Sequence, residues 1–139
     1  MSLGVVFLLL GNALTLTNVA FLPPAFIYLY VGQWIPAMCH IGAFSFSTLF
    51  HFSDDVCCQK NDHYLLFDRL FGVGCVVSNF SRLYVLGFSF STLCALFTCT
   101  SSLFVYLKAK KSPEHYTFWH SWWHVQAGVG STILASNFL

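Results

Sequence analysis

The chain of 139 residues is strongly apolar and nearly neutral. Hydrophobic residues make up 57% of it, and six basic and five acidic side chains leave a net charge of +1. Soluble domains carry about a quarter charged residues, whereas here the fraction is 8%. The composition excludes a water-facing surface of ordinary polarity and a basic patch for nucleic acid. It predicts an integral membrane protein with one transmembrane domain, residues 1–139, in the plasma membrane or an endomembrane.

The first half of the chain predicts two membrane spans. Residues 3–31 carry no charge and exceed the roughly 20 apolar residues that a helix needs to cross a bilayer. We expect Pro23 and Pro24 to kink or end this span. A second span is predicted over residues 33–51, and a polar loop follows over residues 53–63.

Three further spans complete the prediction. Residues 64–77 form the third span, residues 78–82 a turn, and residues 83–107 the fourth span. A second polar loop, residues 108–115, precedes a fifth span that begins at residue 116. Because backbone groups in lipid must be hydrogen-bonded within their own segment, all five spans are predicted to be helices. The expected fold is an all-α polytopic transmembrane bundle.

Five polar residues occur near those span ends that share one membrane face. If the spans alternate in direction, the end of span two and the starts of spans three and five lie on the same face. Ser47 and His51 are four residues apart on span two, His120 and His124 are four apart on span five, and Asp68 lies early in span three. Residues four apart share a helix face, and an intramembrane carboxylate needs a partner inside the bundle. These side chains are therefore expected to meet.

The three histidines predict a metal site. The sequence contains no Cys-x-x-Cys pair, whereas three imidazoles with one open position form the coordination of a catalytic zinc site. One Zn²⁺ held by His51, His120 and His124 would activate water. Asp68 would orient or deprotonate that water, and Ser47 would donate a hydrogen bond to a substrate carbonyl oxygen.

The sequence alone leaves two other interpretations of the histidines open. A membrane-embedded histidine is most often hydrogen-bonded across helices as a structural link. Two histidines on different helices can also ligate haem, although haem would leave Ser47 and Asp68 without a role. His40 lies eleven residues before His51, about 16 Å along a helix, so we expect it to make a structural hydrogen bond outside the cluster.

A family resemblance is carried by four segments: FSTLFHFSD (residues 46–54), HSWWH (residues 120–124), AFLPP (residues 20–24) and FDRLFGVG (residues 67–74). They resemble segments of the transmembrane-protein-8 and myomaker family of the CREST superfamily. The run FSTLFHFSD (residues 46–54) is similar to the family's segment that begins Phe-Ser-Thr and ends His-x-x-Asp, and HSWWH (residues 120–124) is similar to its His-Ser-x-aromatic-His. The runs AFLPP (residues 20–24) and FDRLFGVG (residues 67–74) resemble its first span and its Asp-bearing third span. The superfamily pattern is Ser-x-x-x-His, then Asp, then His-x-x-x-His.

The resemblance implies a seven-helix fold with zinc on the three histidines named above and with Ser47 and Asp68 as the other active-site residues. It implies hydrolysis of a lipid or GPI-anchor acyl bond, with membrane lipids or GPI-anchored proteins as partners. In the myomaker branch it implies instead a non-enzymatic role in membrane remodelling or cell fusion, with a structural metal site. This sequence has one span, residues 83–107, where the family has three.

Overall fold

The computed structural model describes residues 13–55, 61–111 and 113–139, and it is helical along almost all of them. Five helices follow one another: α1 (Ala13–Tyr30), α2 (Trp34–Asp55), α3 (Asp62–Leu86), α4 (Phe90–Lys111) and α5 (Tyr116–Ser136). The described residues contain no strand, so the predicted all-α class is confirmed. The start of the first predicted span and residues 56–60 of the first predicted loop lie outside the described residues.

The proline pair interrupts the first helix, as its sequence predicts. Within α1, an α-helical turn (Ala13–Thr17) and a 3-10 turn (Asn18–Phe21) precede a second α-helical segment (Leu22–Tyr30). Pro23 and Pro24 lie in the first turn of that segment. The first turn tolerates proline because its N–H groups have no helical partner, whereas the residues before it lose α-helical hydrogen bonds. The change of hydrogen-bonding pattern therefore comes directly after Thr17.

The turn predicted over residues 78–82 is wrong, because α3 continues through this segment. Ser78 and Asn79 of this segment are buried inside the bundle, whereas Ser81 is exposed and hydrogen-bonds to its own helix. Ser81 Oγ donates to the carbonyl oxygen of Ser78 at 2.8 Å. Asn79 Nδ2 donates to Ser131 Oγ on α5, also at 2.8 Å, in a buried contact. A polar run on the inner face of a helix was thus mistaken for a break in it.

The helix ends lie where local hydrogen bonds favour them. α3 begins after Asn61, whose side chain accepts from the backbone N–H groups of His63 and Tyr64, as an N-cap residue does. It ends at Gly87, whose φ of +67° belongs to a region that other residues rarely adopt. α2 extends to Asp55, so residues 53–55, which were predicted to begin the first polar loop, are helical.

Helix α1 lies between α2 and α5 and packs against both. α3 packs mainly on α2, and α4 packs mainly on α5, whereas the consecutive helices α3 and α4 contact each other only slightly. The close approach of α1 to α5 depends on Gly128, because a Cβ atom there would overlap the carbonyl oxygen and the Cβ of Ala20. This order of packing places the N-terminal helix next to the histidine pair of α5.

Two of the described helices, α1 and α4, are long and apolar enough to cross a membrane. Their most apolar stretches have mean hydropathies of 1.3 and 1.6. α2, α3 and α5 have 22, 25 and 21 residues, which is also sufficient length, but they are less apolar. Length and composition therefore identify two candidate spans.

Candidate metal centre

Three histidines from two helices converge in a buried cluster. His51 comes from α2, and His120 and His124 come from α5. One nitrogen of each imidazole lies within 4.8 Å of the other two. Ring centroids are 4.6 Å apart for His120 and His124, 5.1 Å for His51 and His120, and 5.5 Å for His51 and His124. The three side chains are 3%, 7% and 0% exposed in sequence order. The structure therefore brings together the three predicted metal ligands.

His124 is oriented by the first helix. Its Nδ1 lies 3.2 Å from Oγ1 of Thr17, and the backbone of Leu14 also hydrogen-bonds the ring. Nε2 of His124 is buried without a hydrogen-bond partner in the described part of the chain. Metal-binding histidines commonly use one ring nitrogen for the ion and the other for a contact of this kind. The contact with α1 thus leaves Nε2 as the nitrogen available to an ion.

His120 is held by aromatic packing. Its ring centroid lies 4.8 Å from that of Tyr116, 5.2 Å from that of Trp123 and 6.5 Å from that of Tyr106 on α4. Among the residues that the structure describes, neither ring nitrogen of His120 has a hydrogen-bond partner. A buried polar group without a partner costs about 1–3 kcal/mol. An ion bound to one of these nitrogens would remove part of that cost.

The donor set fits zinc. Imidazole nitrogen is a preferred zinc ligand, and three such ligands leave one coordination position open. With Zn–N bonds of about 2.0–2.1 Å, tetrahedral geometry places the ligand nitrogens about 3.4 Å apart. The nitrogens lie within 4.8 Å of one another, so the ring movement needed is on the order of an ångström. The described residues contain no second cluster of this kind.

Ser47 and Asp68 lie beside each other between α2 and α3. Ser47 is 1% exposed and precedes His51 by one helical turn. The carboxyl group of Asp68 is close enough to interact with its hydroxyl. The hydroxyl makes no hydrogen bond of ordinary geometry within the described chain. The two groups are therefore neighbours without a well-formed hydrogen bond between them. The predicted pair is thus brought together, while its catalytic roles remain predictions.

Aromatic stacking fixes the alignment of α2 and α3 at this point. The ring of Phe46 lies 4.9 Å from that of Phe67 and 5.4 Å from that of Phe71, both in stacked geometry. Phe46 precedes Ser47 in the chain, and Phe67 precedes Asp68. The stacked phenylalanines therefore hold the hydroxyl and the carboxyl group at the same level of the bundle.

His40 lies outside the cluster, as its distance along α2 predicts. It is 0% exposed, and its Nδ1 is 2.8 Å from the carbonyl oxygen of Pro36. The expected structural hydrogen bond is confirmed. Sequence reasoning missed three residues of the site, Thr17, Tyr106 and Tyr116, because a threonine or a tyrosine in an apolar span gives no specific signal.

Comparisons with protein-family models, with curated proteins and with solved structures found no match. The geometry of the three histidines is therefore the main ground for assigning a function.

Proposed function

We propose that this chain is a multi-pass membrane protein that holds one zinc ion and hydrolyses an acyl bond of a membrane lipid or GPI anchor. The observation that carries the proposal is the convergence of His51, His120 and His124, with ligand nitrogens within 4.8 Å of one another in a buried site. Zn²⁺ in a three-histidine site with an open position activates water for attack on an acyl carbon.

Two further side chains supply the groups that such a hydrolysis needs. The Ser47 hydroxyl is buried one turn from His51 and is available to donate to the carbonyl oxygen of an ester or amide. The Asp68 carboxylate beside it can accept the proton that water loses when it attacks.

The surface supports insertion of all five helices, beyond the two that qualify by hydropathy. Every helix exposes large hydrophobic side chains, and one example from each is 62–78% exposed: Phe26, Ile35, Val77, Phe104 and Phe118. Only 22% of the apolar stretch of α4 is buried, unlike the core helix of a soluble protein. Soluble monomers rarely expose such apolar surface, whereas lipid covers it at no cost.

The distribution of charged residues agrees with this insertion. α1 and α5 carry no acidic or basic residue, and those of α2 and α4 lie only in the last turns. In α3 a stretch without charge, residues 70–81, separates Arg69 from Arg82. Charges at helix ends reach the membrane surface, whereas charges at the centre of a span are costly. The bundle therefore has an apolar middle layer.

A structural metal centre in a non-enzymatic membrane protein is the second candidate. The observation that favours it is the burial of the ligands, which are 0–7% exposed and leave little surface for a substrate.

Haem fits the histidine cluster less well than a metal ion does. The imidazole rings lie 4.6–5.5 Å from one another, which leaves room for an ion but not for a porphyrin.

The variant Ser47→Ala distinguishes the two candidates. The second copy of the run FSFSTL, residues 88–93, offers the matched control Ser91→Ala in an identical hexapeptide. Each protein is reconstituted in vesicles and assayed for zinc content and for fatty-acid release from phospholipid, ceramide and a GPI-anchored protein. For an enzyme, Ser47→Ala keeps its zinc and loses about 100-fold or more in turnover, while Ser91→Ala is unchanged. If the zinc-loaded wild-type protein releases no fatty acid from any of these substrates, the structural metal centre is the candidate function that remains.

A further inference from the structure

We propose that a cavity on the outer side of α5 binds a phospholipid whose headgroup carries an ammonium group. The cavity has a volume of about 490 Å³ and lies between α1 and the first turns of α5. This volume falls within the range of about 300–1,000 Å³ that is usual for small-ligand sites. Neither the three histidines nor Ser47 and Asp68 line it, so the cavity is separate from the proposed metal ligands, although Thr17, which contacts His124, also lines the cavity.

Helical geometry explains why the two sites are separate. Phe118, Trp122 and Val125 line the cavity and share one face of α5 because they are spaced by four and three residues. At 3.6 residues per turn, His120 and His124 lie on the other side of the same helix. Residues of α1, including Thr17, form the facing wall.

The lining changes from polar to apolar along the helix axis. Glu114 and His115 directly precede α5 and form the mouth with Thr117 in its first turn. Phe118 and Trp122 follow along the helix, and Val125 lies furthest from the mouth. The distance from Phe118 to Val125 is about 10 Å at 1.5 Å per residue. A phospholipid matches this order, with its headgroup at the mouth and an acyl chain against the apolar wall.

The charge at the mouth and the aromatic rings that follow it along α5 favour an ammonium group. Among the described residues that line the cavity, Glu114 is the only acidic one. Phe118 and Trp122 are 64% and 47% exposed and offer ring faces, to which quaternary and primary ammonium groups bind by cation–π attraction. A carboxylate beside two such rings is the combination that recognises choline or ethanolamine.

Lys108, Lys110 and Lys111 precede the mouth in the chain but do not line the cavity, and two of them contact aromatic rings elsewhere. Lys108 Nζ lies 4.0 Å from the ring centre of Trp119, and Lys110 Nζ lies 4.8 Å from that of Tyr106. Neither aromatic residue lines the cavity. The described lining therefore contains no lysine or arginine, and Glu114 supplies its charge.

The test compares two lipids that differ in the headgroup alone. The full chain is purified in detergent, and binding of phosphatidylcholine and of phosphatidylglycerol with the same acyl chains is measured by native mass spectrometry. We expect tighter binding of phosphatidylcholine. Glu114→Gln and Trp122→Leu should each weaken it about three- to tenfold, with little effect on phosphatidylglycerol.

Matched controls make the outcome decisive. Asp62→Asn removes an exposed acid at the start of α3, and Trp34→Leu removes an exposed tryptophan from α2, and neither residue lines the cavity. Both controls should bind phosphatidylcholine like the wild type. Trp122→Phe, which keeps an aromatic ring, should also bind it like the wild type, and it replaces Trp122→Leu as the test variant if Trp122→Leu does not fold. Equal binding of the two lipids by the wild type, or equal losses in Glu114→Gln and Asp62→Asn, would show non-specific lipid association and overturn the proposal.

Discussion

Oγ1 of Thr17 lies 3.2 Å from Nδ1 of His124, a contact that joins residues 107 positions apart in the sequence. It links the first helix to the histidine pair of the last one. Because one ring nitrogen of His124 is engaged by α1, the other is left for the cluster with His51 and His120. The N-terminal helix is therefore part of the candidate metal centre, although it supplies no ligand.

Replacing this threonine should weaken metal binding. Thr17→Val keeps the side-chain shape and removes the hydroxyl, so His124 loses one of the contacts that orient its ring. Loss of such an outer contact typically costs 10- to 100-fold in metal affinity. We expect about tenfold, because the Leu14 backbone still hydrogen-bonds the ring. Competition with a zinc chelator measures the change, and Thr100→Val, an exposed threonine on α4, is the control. Equal zinc affinities in Thr17→Val and Thr100→Val would show that Thr17 does not contribute to the metal centre.

Gly128 should be essential for the packing of α1 on α5. In Gly128→Ala the new Cβ would lie 2.6 Å from the Cβ of Ala20 and overlap its carbonyl oxygen. Overpacking of this kind typically costs about 1–3 kcal/mol. Gly72→Ala is the control, since a Cβ at Gly72 meets nothing within 4 Å. Thermal unfolding in detergent should show a lower midpoint for Gly128→Ala and no loss for Gly72→Ala; similar midpoints would contradict the close approach.

The hydrogen bond between Asn79 and Ser131 should stabilise the contact of α3 with α5. Asn79→Ala removes it and leaves the buried Ser131 hydroxyl without that partner. Hydrogen bonds between membrane helices contribute about 0.6 kcal/mol on average and up to about 1.7. We expect a loss of free energy of unfolding near the upper value, because both residues are buried. Ser136→Ala, at an exposed position of α5, should cost nothing measurable, and an equal loss in both variants would count against the contact.

The helices themselves were largely predictable from the sequence, because charge-free runs and polar loops alternate along it. The error at residues 78–82 has a physical cause. Polarity alone does not tell whether a side chain faces water or the interior. Asn79 is buried and bonds to Ser131, and the exposed Ser81 bonds to the backbone of its own helix. The informative residue was Gly87, at the true end of α3.

The candidate site was predictable only in part. The spacing of His51 from Ser47, and of His120 from His124, placed each pair on one helix face, and the structure brings the histidines together. The positions of Thr17 and Tyr106 depend on how α1 and α4 pack against α5. Helix packing of that kind is set by side-chain contacts such as the fit of Gly128 against Ala20, and spacing within one helix does not reveal it.

Zinc content of the purified protein is the most direct test of the metal centre. The wild type should carry about one zinc per chain, and His51→Ala, His120→Ala and His124→Ala should each lose it. His40→Gln, which changes a buried histidine outside the cluster, and His63→Ala, which changes an exposed one on α3, should keep it. A folded wild-type protein that takes up no zinc, or a His51→Ala variant that binds it as tightly as the wild type, would contradict the assignment.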